Sequence, residues 1–127
     1  MYGYMSDKVC AVIDFQGFMI GSTFIPRELA IVNEYFAVSF LIDHGVEYTS
    51  LSNKTREKIK YQTANIHGLS FNIKDEPSIS ASDIDAILLF IHERLSSRDR
   101  PVFACKSYQT TQLLENTAIP YIDLDEV

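Results

Sequence analysis

The segment from Val9 to Phe18, VCAVIDFQGF, constrains the fold more than any other stretch. It opens as an apolar, strand-like run and ends on the polar pair Asp14 and Gln16, just before Gly17. Side chains two apart on a strand point the same way, so Asp14 and Gln16 share one face. An apolar strand carrying a carboxylate to its tip makes an α/β domain the expectation.

The chain has 127 residues, a length that fits one domain over residues 1–127, with Met1 to Asp7 as a flexible lead-in. A hydrophobic content of 46% against 22% charged residues suits a globular core that needs no disulfide staple. The formal net charge of -6 argues against a generic nucleic-acid coat, because phosphate binding runs on clustered Lys and Arg. It leaves room for a metal-dependent nuclease, since divalent ions neutralise an acidic site. Cys10 and Cys105 sit in apolar runs without CxxC or Cys/His spacing, which reads as two buried free thiols rather than zinc ligands. No apolar run approaches membrane-spanning length, and MYGYMSDK lacks the regions of a signal peptide. No membrane contact and an intracellular location, cytoplasm or nucleus, are therefore expected.

Taken in order, Lys8 to Phe18 predicts a first strand, with Gly17, Gly21 and Ser22 allowing a turn. Phe24 to Asn33 predicts a second strand, with Pro26 near its start or at an unpaired position. Tyr35 to Ile42 predicts a third, after a turn near Asn33 and Glu34; one long helix over LAIVNEYFAVSFLI is the alternative. Asn53 to Ile66 reads as a polar helix capped by Ser52 or Asn53 and ended by His67-Gly68. Leu69 to Ile73 reads as a short extended piece, and Lys74 to Ser80 as loop. The helix of Ser82 to Ser97 carries Ile84, Ile87, Leu88, Ile91 and Leu95 along one face, with Ser80 or Ser82 as its cap. Pro101 to Cys105 is a buried strand, Ser107 caps a helix over Tyr108 to Asn116, and Ile119 to Leu124 is a last strand. Short turns between the first three strands favour an antiparallel meander, and strands separated by helices favour parallel additions.

This order and these residues resemble the ribonuclease H-like superfamily, and within it the DEDD 3′–5′ exonucleases with a histidine general base. Asp14-Phe15-Gln16 matches the opening Asp-x-Glu. His67-Gly68-Leu69, followed by a loop and the helix of Ile84 to Leu95, matches a His-Gly-Ile segment. Phe103 to Leu114 matches a strand-to-helix motif, and Tyr121-Ile122-Asp123-Leu124 a strand with an Ile-Asp-Thr type ending. The likeness spans about residues 8 to 125 and rests on shared order rather than on any single match. It implies a mixed sheet flanked by helices, and two magnesium or manganese ions held by four carboxylates.

The departures from that pattern govern the functional expectation. Asp14 keeps its carboxylate, Gln16 stands in place of the Glu, and Thr110 falls where the second Asp belongs. The final His and Asp motif of such domains is expected beyond Val127, so the domain reads as C-terminally truncated; a later segment could complete the fold but not restore Gln16 or Thr110. The resemblance thus implies a degenerate exonuclease-like domain that works by binding protein, RNA or DNA, or a second copy of itself, and that needs no cofactor. Such domains also occur in proteins derived from viruses and mobile elements. The rival expectation is an active magnesium- or manganese-dependent exonuclease using Asp14 with Asp123 or another acid.

Other residues carry weaker signals. Lys54, Arg56, Lys58 and Lys60 make one helix locally basic, either a nucleic-acid or acidic-partner contact or a solvated face diluted by Glu57. His67 reads as a helix-end residue bonded locally, His44 as a loop residue, and His92 as an exposed helix residue. Cys105 reads as core rather than nucleophile. Asp123, Asp125 and Glu126 form an acidic end, either a weak cation site or a solvated strand tip. Tyr2, Tyr4, Phe15, Phe18 and Phe24 cluster early, and any exposed members would anchor a partner.

Overall fold

A computed structural model describes residues 7–126. The lead-in expected over Met1 to Asp7 lies, except for Asp7, outside the described residues, as do Tyr2 and Tyr4. The fold is α/β. Six strands, β1 (Val9–Ile20), β2 (Thr23–Val32), β3 (Ala37–Asp43), β4 (Ile79–Ser80), β5 (Val102–Cys105) and β6 (Tyr121–Asp123), form a mixed sheet in the order β4-β3-β2-β1-β5-β6. Three α-helices accompany them: α1 (Asn53–Gln62), α2 (Ile84–Leu95) and α3 (Tyr108–Glu115).

The connections explain the strand directions. The two-residue link Gly21-Ser22 and the Asn33–Phe36 turn permit only hairpin pairing, so β1, β2 and β3 run antiparallel. Asn33 Oδ1 accepts the amides of Tyr35 and Phe36, at 2.9 and 3.1 Å, and fixes the second turn. The later strands return after helical segments and pair in parallel: β5 with β1 and β6, and β4 with β3. The long-helix alternative for Glu28 to Ile42 is thus replaced by two strands. Burial recurs at every second residue, Arg27, Leu29 and Ile31, the period of a pleated strand.

Three local expectations shift. Gly17 is not a turn residue; it lies inside β1, and a Cβ there would sit 2.1 Å from the Ile25 carbonyl oxygen. Only glycine admits so close an approach. The extended piece expected at Leu69 to Ile73 is no strand, and the strand falls instead at Ile79–Ser80, inside the expected loop. The segment's backbone is held by side chains: Arg27 donates to the Ser70 and Asn72 carbonyls. Helix α2 starts at Ile84 after a 3-10 turn over Ala81–Asp83, and its N-cap Asp83 makes no side-chain capping bond.

The chain divides into two compact units. One holds residues up to 14, Ala30–Val38 and the chain from Asp83 onward. Its sheet registers Val12 with Ala104, and Cys105 with Asp123. Ile13, Ile31, Leu88, Phe103 and Leu114 are fully or nearly fully buried there, and α2 turns Ile84 and Leu88 inward. The other unit holds Phe15–Leu29 and Ser39–Ser82. Its core is Phe18, Ile59 and Phe71, flanked by Ile20, Ile25, Val46, Tyr48 and Leu51. Phe18 meets Phe71 edge-on at 5.1 Å between ring centroids, and His67 at 4.6 Å.

Candidate functional site

In the first unit, β1, β5 and β6 run parallel, and the carboxyl ends of parallel strands are where open α/β sheets present their ligand crevice. Asp14 lies two residues beyond Val12, whose register partner is Ala104. Cys105 and Asp123 are register partners at the same end. Asp14 is half-buried there. The carboxylates of Asp123, Asp125 and Asp14 raise the Cys105 pKa, after burial, which is the larger cause. The thiol is fully buried and lies 3.4 Å from the Thr111 hydroxyl. A thiol held protonated in this way is a packing group, not a nucleophile. Cys10 is also a buried free thiol with its pKa raised by burial.

Thr110 is fully buried, and its place follows from helix capping. Ser107 is the N-cap of α3; its Oγ accepts the Thr110 amide at 3.1 Å and donates to Thr110 Oγ1 at 2.7 Å. Thr110 is the third helical residue, where a side chain that bonds back to the cap closes the first turn. The position the resemblance assigns to a metal carboxylate is therefore occupied by a structural hydroxyl. Gln16 is an exposed amide on β1. Among the described residues no group of three or more His, Cys, Asp or Glu comes together to hold a metal ion. Asp125 and Asp123 make a local turn instead, the Asp125 amide donating to Asp123 Oδ1 at 2.9 Å. The residues present do not fit a two-metal centre, which needs several anionic oxygens around each hard ion.

The histidines are spent in packing. His67 closes the helical turn after α1, its Nδ1 accepting the Leu69 amide at 3.0 Å, and Gly68 follows in the left-handed conformation at φ 73°. Burial lowers its pKa, with the Gly17 backbone opposing. His44 bonds the Phe71 carbonyl at 2.7 Å through Nε2, and burial lowers its pKa as well. His92, expected on an exposed face, is half-buried instead: its Nε2 meets the Pro101 carbonyl at 2.7 Å and its ring stands edge-on to Phe103.

The basic residues of α1 separate. Lys54, Lys58 and Lys60 are exposed. Arg56 bonds Asn53 and lies over the Tyr48 ring, 5.9 Å from its centroid. Sequence reasoning missed another cation in this unit, the fully buried Arg27. Its Nε donates to the Ser70 carbonyl at 2.8 Å, its Nη2 to Ser70 Oγ at 3.2 Å, and its Nη1 has no hydrogen-bond partner among the described residues. The signal was present: Arg27, Leu29 and Ile31 alternate on one face of β2, so an arginine at the first position must go inside.

No family model, no curated protein and no solved structure matches this chain. None of its helices, over the described residues, is long and apolar enough to cross a membrane.

Proposed function

We propose that this chain is a catalytically inactive, ribonuclease H-like, exonuclease-like domain that works by binding. The observation that carries the proposal is the fate of Thr110. Thr110, which the resemblance would align with a second metal carboxylate, is a neutral hydroxyl, buried and committed to the cap of α3. Gln16 removes a further charge on β1. Losing charged oxygens weakens a hard-ion site far more than it changes its shape.

A binding role is favoured by the apolar surface of the first unit. Val12, Val32, Phe36 and Val38 are exposed, and Tyr35 is 84% exposed. A concavity of about 440 Å³ is lined by Val12, Val32, Tyr35 and Leu95 among others. Exposed large apolar side chains beside a concavity are the kind of surface that partners use. The partner is a protein, a nucleic acid or a second copy of the chain, in an intracellular setting, and no metal cofactor is required.

The test is incubation with labelled single-stranded RNA and DNA in magnesium or manganese, alongside a sizing measurement. The expected result is no cleavage that depends on Asp14, and assembly into a species larger than the monomer. Cleavage abolished by Asp14→Ala overturns the proposal.

A further inference from the structure

The second unit holds two histidines whose hydrogen bonds fix both tautomer and charge. His67 Nδ1 accepts the Leu69 amide at 3.0 Å, and His44 Nδ1 accepts the Val46 amide at 3.1 Å. A ring nitrogen that accepts from an N–H carries no proton of its own, so each imidazole keeps its single proton on Nε2. The His44 Nε2–H donates to the Phe71 carbonyl at 2.7 Å. The His67 Nε2–H is buried and has no hydrogen-bond partner among the described residues. A second proton can enter either ring only at Nδ1, facing the amide proton that Nδ1 now accepts.

Both rings hold the same segment. Residues 68–74 belong to no strand or helix, and side chains tie their backbone down instead. Thr63 Oγ1 donates to the Leu69 carbonyl, Arg27 Nε to the Ser70 carbonyl and His44 to the Phe71 carbonyl, while His67 accepts the Leu69 amide. Phe71 is the segment's buried side chain, its ring 4.4 Å from His44 and 5.1 Å from Phe18 between centroids. Asn72 ties the segment back to the chain after His44, donating to the Val46 carbonyl and accepting the Tyr48 amide. A segment without ladder bonds opens at less cost than the sheet beside it.

The charges that act on the two rings come from β2 and β3. At His67 burial lowers the pKa most, the Gly17 backbone and Glu28 raise it, and Arg27 lowers it. At His44 burial again leads, the Phe71 carbonyl raises the pKa, Arg27 lowers it and Asp43 raises it. Arg27 opposes both imidazolium forms, and it is the buried anchor of Ser70. Burial lowers its own pKa, and Glu76, Glu28 and Asp43 favour its charge. We propose that His67 and His44 form an acid-operated latch: protonation removes the acceptor of the Leu69 or Val46 amide, adds a positive charge that opposes Arg27, and releases residues 68–74 with Phe71 while the sheet stays folded. The latch is fully closed above the ordinary histidine value of about 6.5 and opens as pH falls through the lowered values of the closed state. It uses none of Asp14, Gln16 and Thr110, so it stands apart from the reading of those residues.

Nuclear magnetic resonance on the full chain tests the latch in two steps. Long-range proton–nitrogen spectra of the imidazoles near pH 7.5 are expected to show Nδ1 without a proton in both rings. Amide exchange, corrected for its intrinsic pH dependence, is expected to lose at least about tenfold protection at Leu69 and Val46 between about pH 7.5 and 5, while Ile13 and Phe103 keep theirs. The Phe71 ring should lose its contacts with Phe18 over the same range. The double variant His44→Asn and His67→Asn keeps acceptor oxygens that do not titrate there, and it should abolish the acid step. The tautomers and exchange of the parent chain decide the question even where that variant does not fold. A proton on Nδ1 of either ring near pH 7.5, or protection at Leu69 and Val46 that stays flat down to about pH 5, overturns the proposal. So does a loss shared equally by Ile13 and Phe103, which is global unfolding, or an acid step that survives in the double variant. None of these outcomes is affected by whether the chain cleaves nucleic acid.

Discussion

Substituting Thr110 in three ways separates its possible roles. Thr110→Ser keeps the hydroxyl bonded to Ser107 and removes one buried methyl, a loss of about 1 kcal/mol from transfer and cavity terms together. Thr110→Val keeps the shape and removes the acceptor at 2.7 Å from Ser107 Oγ, so the Ser107 proton loses its partner. That change costs about 1–2 kcal/mol, because the side chain sits at 0% exposure while Ser107 is only half-buried. Thr110→Asp installs the carboxylate that the resemblance would place there but buries an anion. The helix N-terminus offsets about 0.5–1 kcal/mol of the penalty, leaving a net loss of about 3 kcal/mol. With an ordinary urea dependence of about 1.5 kcal/mol per molar, the midpoint of the aspartate variant falls by about 2 M. The assay is urea unfolding followed by far-ultraviolet circular dichroism. The aspartate penalty should also shrink at low pH: a buried carboxyl has its folded pKa raised, so the folded variant gains protons relative to the unfolded chain as pH falls. A Thr110→Asp variant as stable as the parent at neutral pH would refute the claim that this position is structurally committed.

Gly17→Ala should cost about 3 kcal/mol in the same assay, because the new Cβ would meet backbone atoms of Ile25 and Pro26 at 2.1 to 2.9 Å and β1 and β2 would have to part; a loss under 0.5 kcal/mol refutes the close approach. His44 and His67 both have folded pKa values lowered chiefly by burial, so their neutral forms are favoured in the fold. Stability is then fully present above the unfolded value of about 6.5 and is lost as pH falls towards the folded values; urea midpoints at pH 7.5 and 5.5 should show the drop, and a flat profile contradicts it. Cys10 and Cys105 should react with a thiol reagent such as dithionitrobenzoate only after unfolding, and rapid labelling of the native chain would contradict their burial.

Much of the fold was readable from pattern. The apolar strand-like run of VCAVIDFQGF, the turn at Asn33, the cap at Ser107 and the His67-Gly68 stop each rest on local chemistry, and each stands in the structure. What stayed hidden was set by distant partners. Gly17 sits in a strand because of Ile25, which no local rule reveals. The Leu69 to Ile73 segment is held by a buried arginine 43 residues away in sequence rather than by a ladder. Within the candidate site, the neutral side chains of Gln16 and Thr110 were visible from residue type alone. The burial of Thr110 was not, because it depends on packing between elements far apart in the chain.

The central claim is that the surroundings of Asp14, midway along β1, lack the charge to grip divalent metal. Manganese titration followed by electron paramagnetic resonance, on the parent chain and on Asp14→Ala, measures this directly. The account predicts only weak manganese binding, in the millimolar range and unchanged by the substitution. Two manganese ions bound at micromolar concentration in the parent and lost in Asp14→Ala would contradict it.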